Sequence, residues 1–261
     1  MIWVFDIHRL FVAIVLAAIR IAAAMALCPA LNESMIGGTA RRCAVVAFSL
    51  MVVPALVAEM PPGEPAMPLL VLIGVKEALI GSVIGFFSAV PFWIAENVGN
   101  LIDNQRGATM GEVYSPLSGA QVSTTGIFFT QVVSTIFFVS GAIFLVLAAL
   151  YRSYEIWPVF AGYPALAPDA DEQALGMLGE MLRQTVVISS PIIILMFLAT
   201  VGLGFVNRTA PQLNVFFLSM PIKSALGVAM LVIYLRYILD MLMYTDSKAI
   251  LAPAMRLMGG G

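Results

Sequence analysis

The stretch that decides the fold lies in the middle of the chain, where residues 126–150 read GIFFTQVVSTIFFVSGAIFLVLAAL. It is longer than the roughly 20 residues that an α-helix needs to cross the hydrocarbon core of a bilayer. It also lies within an uncharged run that extends from Val113 to Tyr151. The stretch therefore predicts helical structure in a membrane.

The composition extends this conclusion to the rest of the 261-residue chain. Hydrophobic residues make up 61% and charged residues only 11%, whereas about 25% of the residues in soluble proteins are charged. So few charges cannot cover the surface of a soluble protein of this length, which indicates an integral membrane protein. The net charge of −2 argues against a nucleic-acid partner, because such proteins usually carry a basic patch.

Six apolar stretches predict an all-α, polytopic protein of helical hairpins that forms a single integral-membrane domain over residues 1–261. The stretches are 10–31, 43–58, 69–95, 126–150, 186–206 and 213–239. The second is short and ends near Pro54, so we expect it to tilt or to fail to span the bilayer. The third is expected to continue as a helix to residue 106. Only a few residues separate the last two, which favours a hairpin.

The acidic segment before the fifth stretch predicts a short amphipathic helix over residues 171–183. Leu175, Leu178 and Leu182 recur there at three- and four-residue spacing, which places them on one helix face. We expect a surface helix in a solvated loop.

The residues needed for metal binding and for most enzymatic chemistry are scarce. His8 is the only histidine, and Cys28 and Cys43 are the only cysteines. We predict two buried thiols, with a single disulfide as the alternative in an oxidising compartment. Nucleotide-binding loops, the metalloprotease helix motif and the nucleophile elbow are absent from the sequence. We therefore expect neither a metal site, nor a cofactor, nor an enzyme.

Several charges fall inside the apolar stretches, where an unpaired charge is costly and usually faces protein or water. They are Arg20, Lys76, Glu77, Lys223, Arg236 and Asp240. Arg236 and Asp240 are one helical turn apart and can pair. Lys76 and Glu77 point about 100° apart, so we expect their partners on other elements. The favoured interpretation is helix-to-helix pairing within an assembly, and a proton or ion relay is the alternative.

A polar segment follows the third apolar stretch. Helical spacing places Glu96, Asn100 and Asp103 on one stripe, which Asn97 and Asn104 broaden. Such a face is suited to lining a wet passage or to docking another polar helix. Residues 107–126 are rich in Gly, Ser and Thr. They can fold into a confined space, although an ordinary exposed loop is the alternative.

A second polar segment separates the last two apolar stretches, where residues 207–216 read NRTAPQLNVF. Pro211 breaks the helix and leaves backbone groups that need hydrogen-bond partners. Asn207, Gln212 and Asn214 supply amides for them, and Arg208 can cap the preceding carbonyls. A simple hairpin needs only Gly or Pro, so this segment indicates more than a turn.

The two polar segments resemble the FliR/YscT/HrcT/SpaR family of type III secretion export-apparatus proteins. The resemblance rests on GNLIDNQRGA at 99–108, Ser115-Pro116, STTG at 123–126, and NRTAPQLNVF at 207–216 with Pro221 and Lys223. Asp103 and Arg106 are typical of the injectisome branch. Hydropathy and length agree with this family over the whole chain.

The resemblance implies a multi-pass component of the bacterial inner membrane, within the base of a secretion system. The implied partners are two smaller export-apparatus membrane proteins, which join such proteins in a pore for unfolded substrates, and a larger switch protein. Pore or plug candidates are Glu96, Asn100, Asp103, Gln105, Arg106, Gly107, Ser115 and Pro116. Candidates for the helix break and for assembly are Arg208, Pro211, Gln212, Asn214 and Lys223.

A secondary transporter of a small solute is the alternative function. It would bind its solute near the middle of the membrane at interrupted helices. Lys76, Glu77 and the helix break at Pro211 would serve it. The two halves of the sequence show no inverted repeat, which counts against this alternative.

Overall fold

The secondary structure is helical, as the apolar stretches predict. A computed structural model describes residues 2–62, 66–107, 123–162, 170–209, 212 and 215–249. Within these ranges, turns join the helices and no strand occurs. The all-α prediction is confirmed.

The described helices are labelled in chain order. They are α1 (Ile2–Leu27), α2 (Glu33–Ile36), α3 (Gly38–Leu50), α4 (Val53–Glu59), α5 (Met67–Arg106), α6 (Thr124–Val139), α7 (Ala142–Ile156), α8 (Ala170–Thr209) and α9 (Val215–Ala249). A 3₁₀ turn at Pro29–Leu31 follows α1.

The candidate membrane spans agree with the six apolar stretches. Four helical segments are long and apolar enough to cross a bilayer: Ile7–Leu27, Met67–Arg106, Glu172–Thr209 and Phe217–Asp240. Two bent pairs, α3 with α4 and α6 with α7, pass the same test when each pair is taken together. By length and composition, the described residues therefore hold four candidate spans, or up to six if each bent pair counts as one.

The stretch 126–150 is not one continuous helix, which corrects its prediction. Helix α6 ends at Val139, α7 begins at Ala142, and the chain bends by 72° between them. Gly141 precedes α7 with a φ of +77°, a conformation that glycine adopts without the steric cost of a Cβ atom. Hydropathy does not reveal this break because it occurs at uncharged residues.

The stretch 43–58 also differs from its prediction. It bends by 49° between α3 and α4, and its tilt in the bilayer remains a prediction. Pro54 does not end it, since this residue lies in the first turn of α4, which continues to Glu59. Proline is tolerated there because the first N–H groups of a helix lack partners in any case.

The acidic segment does not form a separate surface helix. Residues 171–183 belong to α8, which runs without a break from Ala170 to Thr209. Leu175, Leu178 and Leu182 are exposed on it. The segment therefore extends the fifth apolar stretch.

The chain divides into two compact units. The first comprises the described parts of residues 1–90, 137–174 and 247–261, and the second comprises those of residues 91–136 and 175–246. The core of the first unit includes Val12 and Leu16 of α1, Leu56 of α4, Ile73 of α5 and Val159. A single membrane domain remains a prediction.

Close helix contacts occur at glycines in the first unit. A Cβ atom on Gly81 would overlap the carbonyl oxygen of Arg20, and one on Gly85 would overlap that of Ala24. Helices α1 and α5 therefore approach at the Gly81-x-x-x-Gly85 motif, as this weak pattern suggests. Gly107 has a different role, because it follows the last residue of α5 with a φ of +80°.

In the second unit, α8 and α9 contact each other. The two contacting residues lie about equally far along the chain from the turn between the helices. The Sδ atom of Met196 lies 3.2 Å from the position that a Cβ atom on Gly227 would occupy. This contact is the one expected of the predicted hairpin.

The two cysteines differ in environment. Neither cysteine forms a disulfide in the described part of the chain; Cys28 is buried and Cys43 is exposed. The prediction of two buried thiols is therefore wrong for Cys43, which lies on an exposed face of α3 with Val46 and Leu50.

Candidate functional site

A buried carboxylate joins the end of α5 to the start of α6. Asp103 is 1% exposed. Its Oδ2 atom accepts hydrogen bonds from Ser123 Oγ at 2.7 Å and from the Thr125 N–H at 3.0 Å. Its Oδ1 atom accepts one from Thr125 Oγ1 at 2.6 Å and forms an ion pair with Arg106 Nη2 at 2.8 Å. The four donors match the roughly four lone-pair sites of a carboxylate.

The sequence at the start of α6 explains why it attracts this carboxylate. Ser123 caps the helix, since its Oγ atom accepts the Gly126 N–H at 2.9 Å. Its hydroxyl hydrogen remains available for Asp103. The Thr125 N–H is one of the first-turn donors that have no partner within the helix. A negative charge is also favourable at the positive end of the helix dipole.

Two glycines permit the close approach of α5 and α6. A Cβ atom on Gly99 would overlap the backbone of Gly126. A Cβ atom on Gly126 would lie 3.2 Å from Asn100 Oδ1 and 3.0 Å from the Glu96 carbonyl oxygen. The segments GNLIDNQRGA and STTG therefore contact each other. The sequence identifies both segments, but it does not predict that they meet.

The pore and plug candidates fall into four groups. Glu96 is exposed, and Asn100, Gln105, Arg106 and Gly107 are half-buried. Asp103 is buried. Ser115 and Pro116 lie outside the described residues.

Asp103 lies apart from the exposed part of the predicted stripe. This side chain turns into the contact with α6, whereas Glu96 and Asn104 are exposed. Helical spacing predicts the direction in which Asp103 points from α5. It does not predict that α6 lies in that direction.

A second buried polar cluster surrounds Arg20 in the first unit. Arg20 Nε and Nη2 lie 2.6 and 3.0 Å from the two carboxylate oxygens of Glu77. The guanidinium also donates to Ser153 Oγ and to the Trp157 carbonyl, each at 2.9 Å. Its carbon atom lies 4.0 Å from the centre of the Tyr154 ring, a cation–π distance. No sequence pattern predicts these three partners, which lie on α7 or directly after it.

Lys76 completes this cluster. Its Nζ atom donates to the carbonyls of Pro158, Val159 and Ala161 at 3.0, 2.7 and 3.1 Å. It also lies 3.4 Å from Glu77 Oε1. Lys76 and Glu77 thus find partners on other elements, and pairing within an assembly remains a prediction. All these partners lie within the chain itself.

The remaining intramembrane charges lie on α9. Arg236 and Asp240 are both exposed, and the structure records no ion pair between these two described side chains. Lys223 is half-buried.

The predicted helix break lies between α8 and α9. Arg208 is exposed in the last turn of α8, and Gln212 is exposed in a turn. Pro211 and Asn214 lie outside the described residues. Contacts of these residues with a neighbouring polypeptide remain a prediction.

Comparison with known proteins identifies the family. Residues 11–246 match the family described as Bacterial export proteins, family 1. The chain belongs to this family. It is 39% identical over 243 residues to the Yop proteins translocation protein T of Yersinia pestis, covering 90% of this chain and 92% of that protein.

Two further relatives define the branch within the family. The surface presentation of antigens protein SpaR of Salmonella typhimurium is 30% identical over 88% of this chain and 85% of its own length. The flagellar biosynthetic protein FliR of Bacillus subtilis is 28% identical over 87% of this chain and 88% of its own length. The family member described here thus belongs to the injectisome branch, and it is an inner-membrane protein related to export-apparatus components.

Proposed function

We propose that the chain is a core component of the type III protein secretion export gate. It forms, with smaller membrane proteins, the pore through which unfolded substrates cross the inner membrane. The observation that carries this proposal is the 39% identity to a Yop translocation protein over 90% of the chain. A switch protein of the same secretion system is a further partner under this proposal.

The helices of the second unit support an assembled state. Few of the residues in the candidate spans Glu172–Thr209 and Phe217–Asp240 are buried by the chain itself. Among their exposed apolar side chains are Phe197, Phe205, Phe217 and Val232. Arg236 and Asp240 add charges that favour a protein neighbour over lipid at membrane depth. Partner subunits would cover this surface.

The Asp103 network supports a role for the neighbouring polar segment at the passage. Residues 108–122 lie outside the described residues, and the chain on either side of them is held together. Asp103 binds Arg106 before this segment and Ser123 and Thr125 after it. We propose that the segment from Asn100 to Gly126, with Ser115 and Pro116, lies at the passage and helps to close it.

The buried charges argue against the solute-transporter alternative. Such a transporter would need Lys76 and Glu77 for its solute or coupling ion. Glu77 is bound by Arg20, and Lys76 is bound by three carbonyl groups. An enzymatic role has no support from the family, whose relatives named above are secretion and flagellar proteins.

Purification from the native membrane tests the proposal. The tagged chain is extracted in mild detergent, and an unrelated tagged inner-membrane protein serves as the control. We expect the chain alone to retain two smaller membrane proteins, and we expect deletion of its gene to abolish secretion. A stable monomer that binds a small solute, in a bacterium that still secretes after the deletion, would support the transporter instead.

A further inference from the structure

An apolar groove of about 690 Å³ lies between α1 and α5 in the first unit. One wall consists of α1 residues between His8 and Ile19, and the other consists of α5 residues between Met67 and Ala78. Among the described residues that line the groove, His8 alone is polar, and it lies at one end. The groove is open along its side, where the exposed apolar side chains are Phe11, Val15, Val71 and Val75.

The two helices run in the same direction and close the groove at one end. A Cβ atom on Gly81 would overlap the carbonyl oxygen of Arg20, and four residues later on both helices one on Gly85 would overlap that of Ala24. The contacts therefore advance together along α1 and α5. Arg20 directly follows Ile19, the last α1 residue that lines the groove, so the groove ends where the helices meet.

The length of the groove corresponds to one leaflet of a bilayer. The candidate span Ile7–Leu27 on α1 has 21 residues and rises about 31 Å, which matches a hydrocarbon core of about 30 Å. Eleven helical steps separate His8 from Ile19, and eleven separate Met67 from Ala78, which corresponds to about 16 Å. The groove therefore begins at one surface of the hydrocarbon core and ends near its middle.

This length favours a phospholipid over a membrane-spanning helix as the occupant. Such a helix crosses both leaflets, whereas the contacts of α1 with Gly81 and Gly85 leave no groove in the second leaflet. The acyl chains of a phospholipid extend over a single leaflet and leave the phosphate at its surface. The apolar walls match the acyl chains, and the polar end of the groove lies where the phosphate would be.

The polar end offers hydrogen-bond donors to a phosphate group. His8 is exposed, and its ring N–H can donate to a phosphate oxygen. The next residue, Arg9, donates from Nη2 to the Met60 carbonyl at 2.9 Å, which leaves further guanidinium donors for phosphate. Glu59, exposed beside Met60, balances the charge of Arg9 and favours a headgroup that also carries an amine. Basic sites between membrane helices bind lipid headgroups in this way.

We propose that one phospholipid of the surrounding membrane binds in the groove between α1 and α5. Its acyl chains lie against the two helices, and its phosphate lies at His8 and Arg9. The lipid covers apolar side chains that the chain itself leaves exposed. This inference goes beyond the proposed export function and does not depend on it.

Photo-crosslinking of the purified assembly tests which molecule occupies the groove. A photoreactive amino acid replaces Val75, which lines the groove, or Ile194, an exposed apolar residue of α8 that serves as the matched control. The complex is extracted in mild detergent, washed free of bulk lipid and illuminated, and its peptides are analysed by mass spectrometry. We expect a phospholipid adduct at position 75, several-fold more frequent than at position 194.

Two results of this experiment would overturn the inference. A crosslink from position 75 to a membrane subunit would show that a polypeptide covers the groove. A lipid adduct no more frequent at position 75 than at position 194 would show that only bulk lipid reaches it. Neither readout involves secretion, so the proposed export function would stand in both cases.

Filling the groove provides a second test. Val15→Trp places a large side chain in the groove, and Val75→Trp does so from the other wall if the first variant does not fold. A ligand that binds only the folded state raises the thermal unfolding midpoint. Added to the delipidated protein in detergent, phosphatidylethanolamine should raise this midpoint for the unmodified chain and for Val186→Trp, whose site on α8 is exposed. It should not raise the midpoint of the filled variant, and an equal rise in all of them would overturn the inference.

Discussion

Arg20 and Glu77 form a bidentate ion pair between α1 and α5, and neither side chain is exposed to solvent. Removing two charges from water is costly, and the pair offsets this cost only because its geometry is good and its remaining donors are bound. Ser153 Oγ and the Trp157 carbonyl, at the end of α7, accept hydrogen bonds from these remaining donors of Arg20. The pair therefore links the helices of the first unit in one arrangement.

Breaking this pair from one side should be strongly destabilising. Arg20→Met leaves the Glu77 carboxylate buried without its main partner, and we expect a loss of about 3–5 kcal/mol in the free energy of unfolding. Denaturation of the purified protein in detergent measures this loss. Arg236→Met is the matched control, because Arg236 is exposed, and it should change stability little.

The double variant Arg20→Met, Glu77→Leu removes both charges and should recover part of the lost stability. Lys76 keeps its three carbonyl acceptors in this variant. A double variant no more stable than Arg20→Met would show that the unpaired carboxylate is not the cause.

Two glycine-to-alanine substitutions should distinguish the effect of close helix packing on stability from the effect of helix propensity. Gly99→Ala places a methyl group against the backbone of Gly126, so α5 and α6 must move apart. Overpacking of this kind costs about 1–3 kcal/mol. Gly202→Ala on α8 meets nothing within 4 Å and should instead stabilise the helix by up to about 1 kcal/mol. The shift of the thermal unfolding midpoint in detergent reports both effects, and equal shifts for the two variants would contradict the close contact.

The segment between α8 and α9 should matter for assembly. Gln212 is exposed in this chain, and we expect a neighbouring polypeptide to bind it together with Arg208 and Asn214. Combining Gln212→Ala with Asn214→Ala should lower the yield of co-purified partner subunits and reduce secretion. Thr135→Ala is the control, since Thr135 is exposed and its hydroxyl bonds within its own helix. Unchanged assembly and secretion would show that this segment is only a turn.

The small polar segment should help to keep the pore closed. Deleting residues 111–122 leaves the Asp103 network in place, so the complex should still assemble. Opening such a segment must cost only a few kcal/mol, as local unfolding does, so we expect its loss to let small ions leak through the complex. Planar-bilayer recordings measure the conductance of the intact and the deletion complexes. An ion-tight deletion complex would place the gate in the partner subunits.

Local sequence properties were sufficient to predict the helical membrane fold. Apolar residues must leave water, and a helix satisfies its own backbone, so long apolar stretches such as residues 186–206 predict helices. The breaks were harder to predict. The bend at Gly141 and the continuation of α8 through the acidic residues depend on backbone conformation and on neighbours, neither of which changes hydropathy.

The polar residues show the same difference between what the sequence predicts and what the tertiary structure decides. The sequence alone determined that Arg20 and Glu77 need partners, because a charge away from water cannot stay unpaired. Only the tertiary structure decided that Arg20 pairs with Glu77, and that Asp103 binds the start of α6 while Asn104 faces outward. Helical spacing specifies the direction of each side chain about its own axis. Which neighbour lies in that direction depends on contacts between residues that are far apart in the chain.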